Sequence, residues 1–288
     1  MNNKSLIVGV LGPKGSYTEQ AALEYFGECS IKDDYLSPEN VIEAVSKLVI
    51  DYGVVPVENS IQGGVSSVFD TLLINRVNII GQLIVPIHHV LACHPKARKF
   101  SRIISHQQAL NQCKNYLRME YPYCVLEPAA STSHAAQKVI KEGFTDALVV
   151  CSEHAAKVYG LKILASDIST TNNNETRFFI IGNCMTEPTG DDLTSLVFGL
   201  KDRPGVLFDT LKVFKDHGVN LTRIGSRPTK KKLGDYLFFI DFEGHKKDKV
   251  VGKVIEALEQ CTTFIKILGS YPRLIKKFNS QDQVGVKQ

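Results

Sequence analysis

The sequence predicts an α/β fold in two domains, and three observations carry that prediction. Short apolar runs alternate with helix-period segments through residue 182. A polar, turn-rich stretch, "GNCMTEPTGDDLT" (182–194), then interrupts the pattern with Gly, Pro and Asp and no apolar period. Beyond it a new order begins: strand, helix, two strands, helix, strand.

In the first domain the candidate strands are 5–11, 53–57, 77–87, 102–105, 123–127, 146–150, 161–164 and 176–182. Ser37 is placed to cap a helix with Pro38 at its first position, and Val41, Val45 and Leu48 recur along one face. Ser131 and Thr132 offer caps for a helix carrying Ala135, Ala136, Val139 and Ile140. These helices should flank a sheet. In the second domain Leu207, Leu211 and Phe214 share one helix face and Val250, Val254 and Leu258 another. The βαββαβ order predicts a four-stranded antiparallel sheet with two helices on one side. From Leu274 on, "LIKKFNSQDQVGVKQ" reads as a frayed tail.

Composition narrows the function classes. The 288 residues are 43% hydrophobic, enough for a sizeable core. Lys and Arg number 34 against 30 Asp and Glu, a charge of +4 too mild to indicate nucleic-acid binding despite the run Lys230, Lys231, Lys232. No apolar run approaches the ~20 residues of a membrane span, and "SLIVGVLG" lacks the flanks of a signal peptide, so a cytoplasmic protein is expected. Seven scattered cysteines without a CxxC pair fit a reducing compartment, and no Cys/His spacing indicates a metal.

Four polar segments meet strand ends, where open α/β sheets usually bind ligands. "GPKGSYTEQAA" (12–22) turns from a strand into a helix, with Ser16 and Thr18 serving either as ordinary caps or as anion donors. It is neither a Walker loop nor a dinucleotide fingerprint. "VVPVENSIQGGVSS" (54–67) ends a strand with Glu58, Asn59 and Ser60 before Gly63 and Gly64, either as ligand contacts or as turn formers with a solvated charge. "IISHQQALNQC" (103–113) brings Ser105 and His106 to a helix start, His106 reading as a capping or surface histidine. His88, His89 and His94 read as structural. In "NNNETRFFII" (172–181), Thr176 and Arg177 stand at the entry of a buried strand, where Arg177 either grips a carboxylate or pairs with a structural acid.

Together "GPKGSYTEQAA", "PVENSIQGGV", "SHQQALNQC" and "TRF", supported by "STSHAA" and "SEHAAKVYGLKIL", resemble the prephenate dehydratase family. Residues 195–273 resemble the ACT regulatory domain. The resemblance implies a two-lobed catalytic domain like type-II periplasmic binding proteins over 1–184. Lobe one would be about 1–80 with 162–184, lobe two about 81–161, and a flexible tail 274–288 would follow. It also implies conversion of prephenate to phenylpyruvate, with phenylalanine as allosteric inhibitor acting on a homodimer or homotetramer. Arogenate, or decarboxylation without aromatisation, is the alternative chemistry, and a non-catalytic amino-acid sensor the alternative class.

That chemistry requires no cofactor or metal, because aromatisation drives it. By resemblance Thr176 is the donor to the leaving hydroxyl, and Arg177 holds a substrate carboxylate or orients Thr176. Glu58, Asn59 and Ser60 complete the catalytic set, Glu58 as a lobe-locking partner. Ser16, Thr18, Gly63, Gly64, Ser105, Ser131, Thr132 and Phe178 would surround the substrate. Gly205, Val206 and Leu207 with Asn220, Leu221, Gly225, Ser226, Arg227 and Pro228 would form the effector site. Two departures stand out: Gln107 replaces the family's usual Pro, and Gly225 the usual Glu.

Overall fold

A computed structural model describes residues 6–27, 29–170, 173–228 and 236–273. The expected tail from 274 and the lysine run at 230–232 lie outside these described residues.

The chain opens with β1 (Ile7–Leu11), α1 (Tyr17–Phe26), β2 (Ser30–Tyr35), α2 (Pro38–Ser46), β3 (Tyr52–Asn59), the two-residue β4 (Gly63–Gly64), α3 (Ser66–Ile74) and β5 (Asn78–Pro86). It continues through β6 (Val90–Cys93), β7 (Arg102–His106), α4 (Gln107–Gln112), α5 (Lys114–Glu120), β8 (Val125–Ala129), α6 (Thr132–Lys141), β9 (Ala147–Cys151), α7 (Glu153–Val158) and β10 (Lys162–Ala165). β11 (Glu175–Gly182) then returns to the first sheet, which runs β2-β1-β3-β11-β5 with β4 beside β3. The second sheet runs β10-β6-β9-β7-β8. Each is mixed, and together they form the two lobes that the resemblance implied.

The crossings differ from expectation. β5 extends to Pro86 as the partner of β11, so lobe one reaches well past residue 80. β10 pairs with β6 and therefore belongs to lobe two, moving the return crossing beyond Ala165. Strands β2 and β6 are additions to the sequence reading. "SIKDDY" is too polar to announce a strand, and it survives as one because a sheet edge needs a single ladder.

Helix α2 starts as expected, with Ser37 Oγ accepting from Asn40 N at 3.3 Å and Pro38 at the first position. Leu48 leaves the predicted face: the helix stops at Ser46, and Leu48 takes a left-handed φ of 59° and stays exposed. Ser131 caps α6, accepting from His134 N at 3.0 Å.

The second domain comprises β12 (Asp192–Leu200), α8 (Val206–Asp216), β13 (Leu221–Pro228), β14 (Tyr236–Glu243), α9 (Lys249–Cys261) and β15 (Phe264–Pro272). Its antiparallel order is β13-β14-β12-β15, the predicted βαββαβ sheet. Helices α8 and α9 cover one face; Val251, not Val250, joins Val254 and Leu258 in that core. The other face packs on lobe one. Val197, Leu237, Phe239, Leu268 and Tyr271 enter the same core as Val55, Phe69, Phe179 and Ile181.

Two further features seat the domain. Lys266 Nζ donates to the carbonyls of Leu72, Leu73 and Asn75 at 2.7–2.9 Å, satisfying the last turn of α3. Gly269 presses backbone to backbone against Ile79: a Cβ there would lie 2.1 Å from the Ile79 carbonyl oxygen. Gly269→Ala is therefore expected to cost at least about 2 kcal/mol, since backbone cannot rotate away. Gly252→Ala, in open space on α9, should instead be neutral or stabilise by up to about 1 kcal/mol. Calorimetric melting of both variants checks this.

Candidate active site

A cavity of about 330 Å³ lies between the lobes. Lobe one lines it with Leu11, Ser16, Tyr17, Thr18, Pro56, Glu58, Asn59, Thr176 and Phe178. Lobe two contributes His106, Gln108, Gln112 and Ser131 to Ser133. Helices α1 and α6 begin at its wall, and their uncompensated N–H groups favour negative charge there.

The alternation of β11 sorts its residues between two faces. Thr176 faces the cavity, as do Phe178 and Ile180 the core beneath it. Arg177, Phe179 and Ile181 face the other way. Arg177 therefore lies outside the cavity. Its Nε donates to Gln82 Oε1 at 2.8 Å, one Nη to Asp241 Oδ2 at 2.6 Å and the other to Tyr271 OH at 3.1 Å. Burial would lower its pKa, but the facing Asp241 carboxylate and Tyr271 outweigh this and hold it above the ordinary value. Between the alternatives the sequence left open, pairing with a structural acid is what the structure contains.

Thr176 Oγ1 accepts from Asn59 Nδ2 at 3.0 Å. With that lone pair occupied by a donor, the hydroxyl proton is free to point into the cavity. Asn59 is itself fixed. Its Nδ2 also reaches Asn174 Oδ1 at 2.8 Å and the Glu175 carbonyl at 3.1 Å, while its Oδ1 accepts from the N–H groups of Ile61 and Gln62.

Asn174 and Gln112, not singled out from the sequence, and His89, read there as structural, extend this network into lobe two. Asn174 Nδ2 donates to Gln112 Oε1 at 3.1 Å, and His89 Nε2 lies 3.0 Å from the same oxygen. An amide oxygen accepts, so His89 carries its proton on Nε2. Burial lowers the His89 pKa and keeps the ring neutral. His89 stands where the chain crosses between lobes, a place that residue spacing does not mark, and Asn174 was hidden inside an asparagine run that reads as loop.

Other expected residues sit elsewhere. Ser60 Oγ donates to the Asn173 carbonyl at 2.7 Å and accepts from Glu175 N at 3.0 Å, so it pins the entry of β11 without lining the cavity. Ser105 is fully buried and donates to the Val150 carbonyl at 2.6 Å, because its position on β7 points into lobe two. Gly63 and Gly64 form β4, outside the lining. His106 occupies the cap position of α4, makes no side-chain capping bond and does line the cavity. Glu58 lines the cavity too, with Oε2 turned to Arg223 Nε of the second domain at 2.9 Å. It locks domain to domain, where the expectation was lobe to lobe.

Of the expected effector residues, Gly205 takes a left-handed φ of 79° before α8, and Val206, Leu207 and Leu221 pack on the helix-side core. Asn220 is exposed and donates to Glu243 Oε1 at 3.1 Å. On β13, Ser226 and Pro228 are exposed, whereas Gly225 and Arg227 alternate toward lobe one. There, with Glu58, Ser66, Phe69 and Arg223, they line a separate cavity of about 250 Å³. A side chain at position 225 would thus meet Arg223 of its own chain.

The lobes meet closely beside α1. Tyr159 OH donates to the Lys14 carbonyl at 2.8 Å, and a Cβ on Gly15 would come within 2.9 Å of the Ala155 Cα. Glu19, buried on α1, faces His154 Nε2 of α7 at 3.3 Å. Burial alone would raise the Glu19 pKa; hydrogen bonds from His154 and from Gly15 N–H reverse the sign and lower it. A lowered carboxyl pKa adds stability above the unfolded value of about 4.3 and loses it as pH falls through the folded one. Glu19→Gln should therefore melt earlier than the parent protein at pH 7, with the difference vanishing as the pH drops below about 4, as melting curves across that range would register.

Comparison with known proteins bears on this site. Residues 8–186 match the family model for prephenate dehydratase and residues 194–260 that for the ACT domain. A bifunctional chorismate mutase/prephenate dehydratase of Aquifex aeolicus is 41% identical over 273 residues, covering 94% of this chain and 75% of that protein. A prephenate dehydratase of Methanocaldococcus jannaschii is 40% identical over 279 residues, covering 94% and 98%. The crystal structure of an Arthrobacter aurescens prephenate dehydratase in complex with L-Phe superposes with a TM-score of 0.85 at 32% identity, covering 93% of this chain and 90% of that one.

Proposed function

The chain belongs to the prephenate dehydratase family with a C-terminal ACT domain, and from that premise we propose how its cleft divides the work. The reaction is the decarboxylative dehydration of prephenate to phenylpyruvate. The ring carboxylate leaves as CO2, its bonding electrons enter the ring, the ring C–O bond breaks, and the departing hydroxide takes one proton to become water.

Thr176 donates the hydrogen bond that the leaving oxygen needs, and the observation that carries this is its hydroxyl proton left free by the Asn59 donor bond. A threonine hydroxyl is too weak an acid to give its proton outright, so it acts as a positioned donor in a proton relay. The starts of α1 and α6, with Thr18, Ser131 and Thr132, receive the two carboxylates, whereas the Ser16 hydroxyl caps α1 and donates to the Leu11 carbonyl at 2.8 Å. Phe178 packs under the ring. No Lys or Arg is among the described residues lining the cavity, so the dianion meets neutral donors. Arg223 supports this indirectly: it holds the one carboxylate in that lining, Glu58, in an ion pair.

Prephenate as substrate, with arogenate as the comparison, is tested by following phenylpyruvate and phenylalanine formation by the purified protein. Thr176→Ala should lower turnover by about 10²-fold or more with KM nearly unchanged. Unchanged turnover removes Thr176 from the mechanism.

Phenylalanine is the inhibitor in this reading. The A. aurescens relative carries L-Phe, and here Ile224, on the edge strand β13, and Phe208, on α8, present exposed apolar surface. A second copy covering that edge would make the protein at least a homodimer, and its seven free thiols suit the reducing cytoplasm. Calorimetry should detect phenylalanine binding to a species of dimeric or larger mass; absence of heat at millimolar ligand discards the effector site.

A further inference from the structure

We propose that the ACT sheet is a positioning element of the catalytic cleft itself, with Asp241 and Tyr271 acting through Arg177 to set the place of Thr176. The inference rests on the reading of Thr176 as donor.

The ladder between β11 and β3 is regular from Gly182 opposite Tyr52 to Phe178 opposite Pro56. There β3 advances two residues while β11 advances one, so Arg177 lies opposite Glu58 and Thr176 opposite Asn59. Such a bulge weakens the ladder locally and re-aims the side chains beyond it. On its inner side, Phe178 to Ile181 are buried and need no other anchor. On its outer side stand only the last two pairs, and the outermost is the donor pair Thr176 with Asn59. β5 pairs regularly with this end of β11, Thr176 opposite Val85 and Arg177 opposite Ile84, so the bulge loosens the β3 side, where Asn59 sits, and with it the spacing of the donor pair.

The ACT domain supplies what is missing at the pair directly beneath. Arg177 is gripped by Asp241 from β14 and Tyr271 from β15. Both are held in turn by Ser195 Oγ of β12, at 2.6 and 2.7 Å. The third arm of the guanidinium binds Gln82 of β5, whose Nε2 donates to the Arg273 carbonyl at 3.0 Å. Opposite Arg177, Glu58 takes Arg223 of β13. Both members of the pair under Thr176 and Asn59 are thus tied to the ACT sheet. An ion pair serving adhesion alone has no reason to stand one residue from the reacting hydroxyl, and a displacement of ~1 Å there costs up to about 10²-fold in rate.

The test is a double-mutant cycle in the full-length protein. Asp241→Asn should lower turnover about tenfold with KM changed less than about twofold, and change turnover less than about twofold in a Thr176→Ala background. Tyr271→Phe keeps the buried ring and folds where Asp241→Asn does not; it should give a smaller loss, again absent without Thr176. Equal fold losses in both backgrounds, or parental turnover in both ACT variants, overturn the inference while leaving Thr176 as donor. Parental turnover in Thr176→Ala itself overturns both.

Discussion

A guanidinium withdrawn from water between two domains commits both of them. The Arg177 side chain is 14% exposed and Asp241 only 2%, and breaking such a buried pair by removing one partner costs about 3–5 kcal/mol. Undocking the ACT sheet would also expose Phe239, Leu268 and Tyr271 from the core they share with Phe69 and Phe179. Each large side chain so exposed costs roughly 1.5–3 kcal/mol. The polar stretch 182–194 reads as a linker between domains in sequence. In the fold it joins two halves of one hydrophobic unit.

Spending Arg177 on the domain junction shapes the chemistry of the cleft. In the proposed reading, a cavity with no Lys or Arg among the described residues of its lining would meet a dianion with oriented N–H and O–H groups, held by helix starts and by the Asn59–Asn174–Gln112 chain of amides. Neutral donors aimed at fixed points discriminate by geometry: they favour the arrangement in which negative charge has moved onto the leaving oxygen over the one in which it rests on the carboxylate. A mobile point charge would stabilise both.

How much of this was legible in the sequence follows from which forces are local. Caps at Ser37 and Ser131 and the whole βαββαβ order were readable because neighbours in sequence decide them. The segments that line the cleft were readable because strand ends and helix starts carry their own polar signatures. The face to which Arg177 points was not. Strand alternation says only that Thr176 and Arg177 part company; which one meets the cleft depends on what covers the far side of the sheet, and that is a domain some sixty residues downstream in the person of Asp241. Ser105 failed for a related reason, since a hydroxyl at a strand end satisfies a neighbouring strand's carbonyl as readily as a ligand. Lobe boundaries shifted because β10 pairs across to β6, a tertiary choice invisible in its own four residues.

The junction is uneven, and the unevenness has a direction. Along β15 it is rigid: Gly269 touches the Ile79 backbone and Lys266 caps α3. Along β13 a cavity of about 250 Å³ surrounds Arg223, and the contact with lobe one runs through the Arg223–Glu58 and Arg227–Asp70 ion pairs. Close-packed surfaces move as units, so a shift of the ACT sheet on lobe one would reach the cleft through the ion pairs of β13. That is the strand holding Glu58, and Glu58 is the neighbour of Asn59. A ligand that binds the ACT domain more tightly in one setting than another would therefore be felt at the Asn59–Thr176 pair before it is felt elsewhere in the cleft.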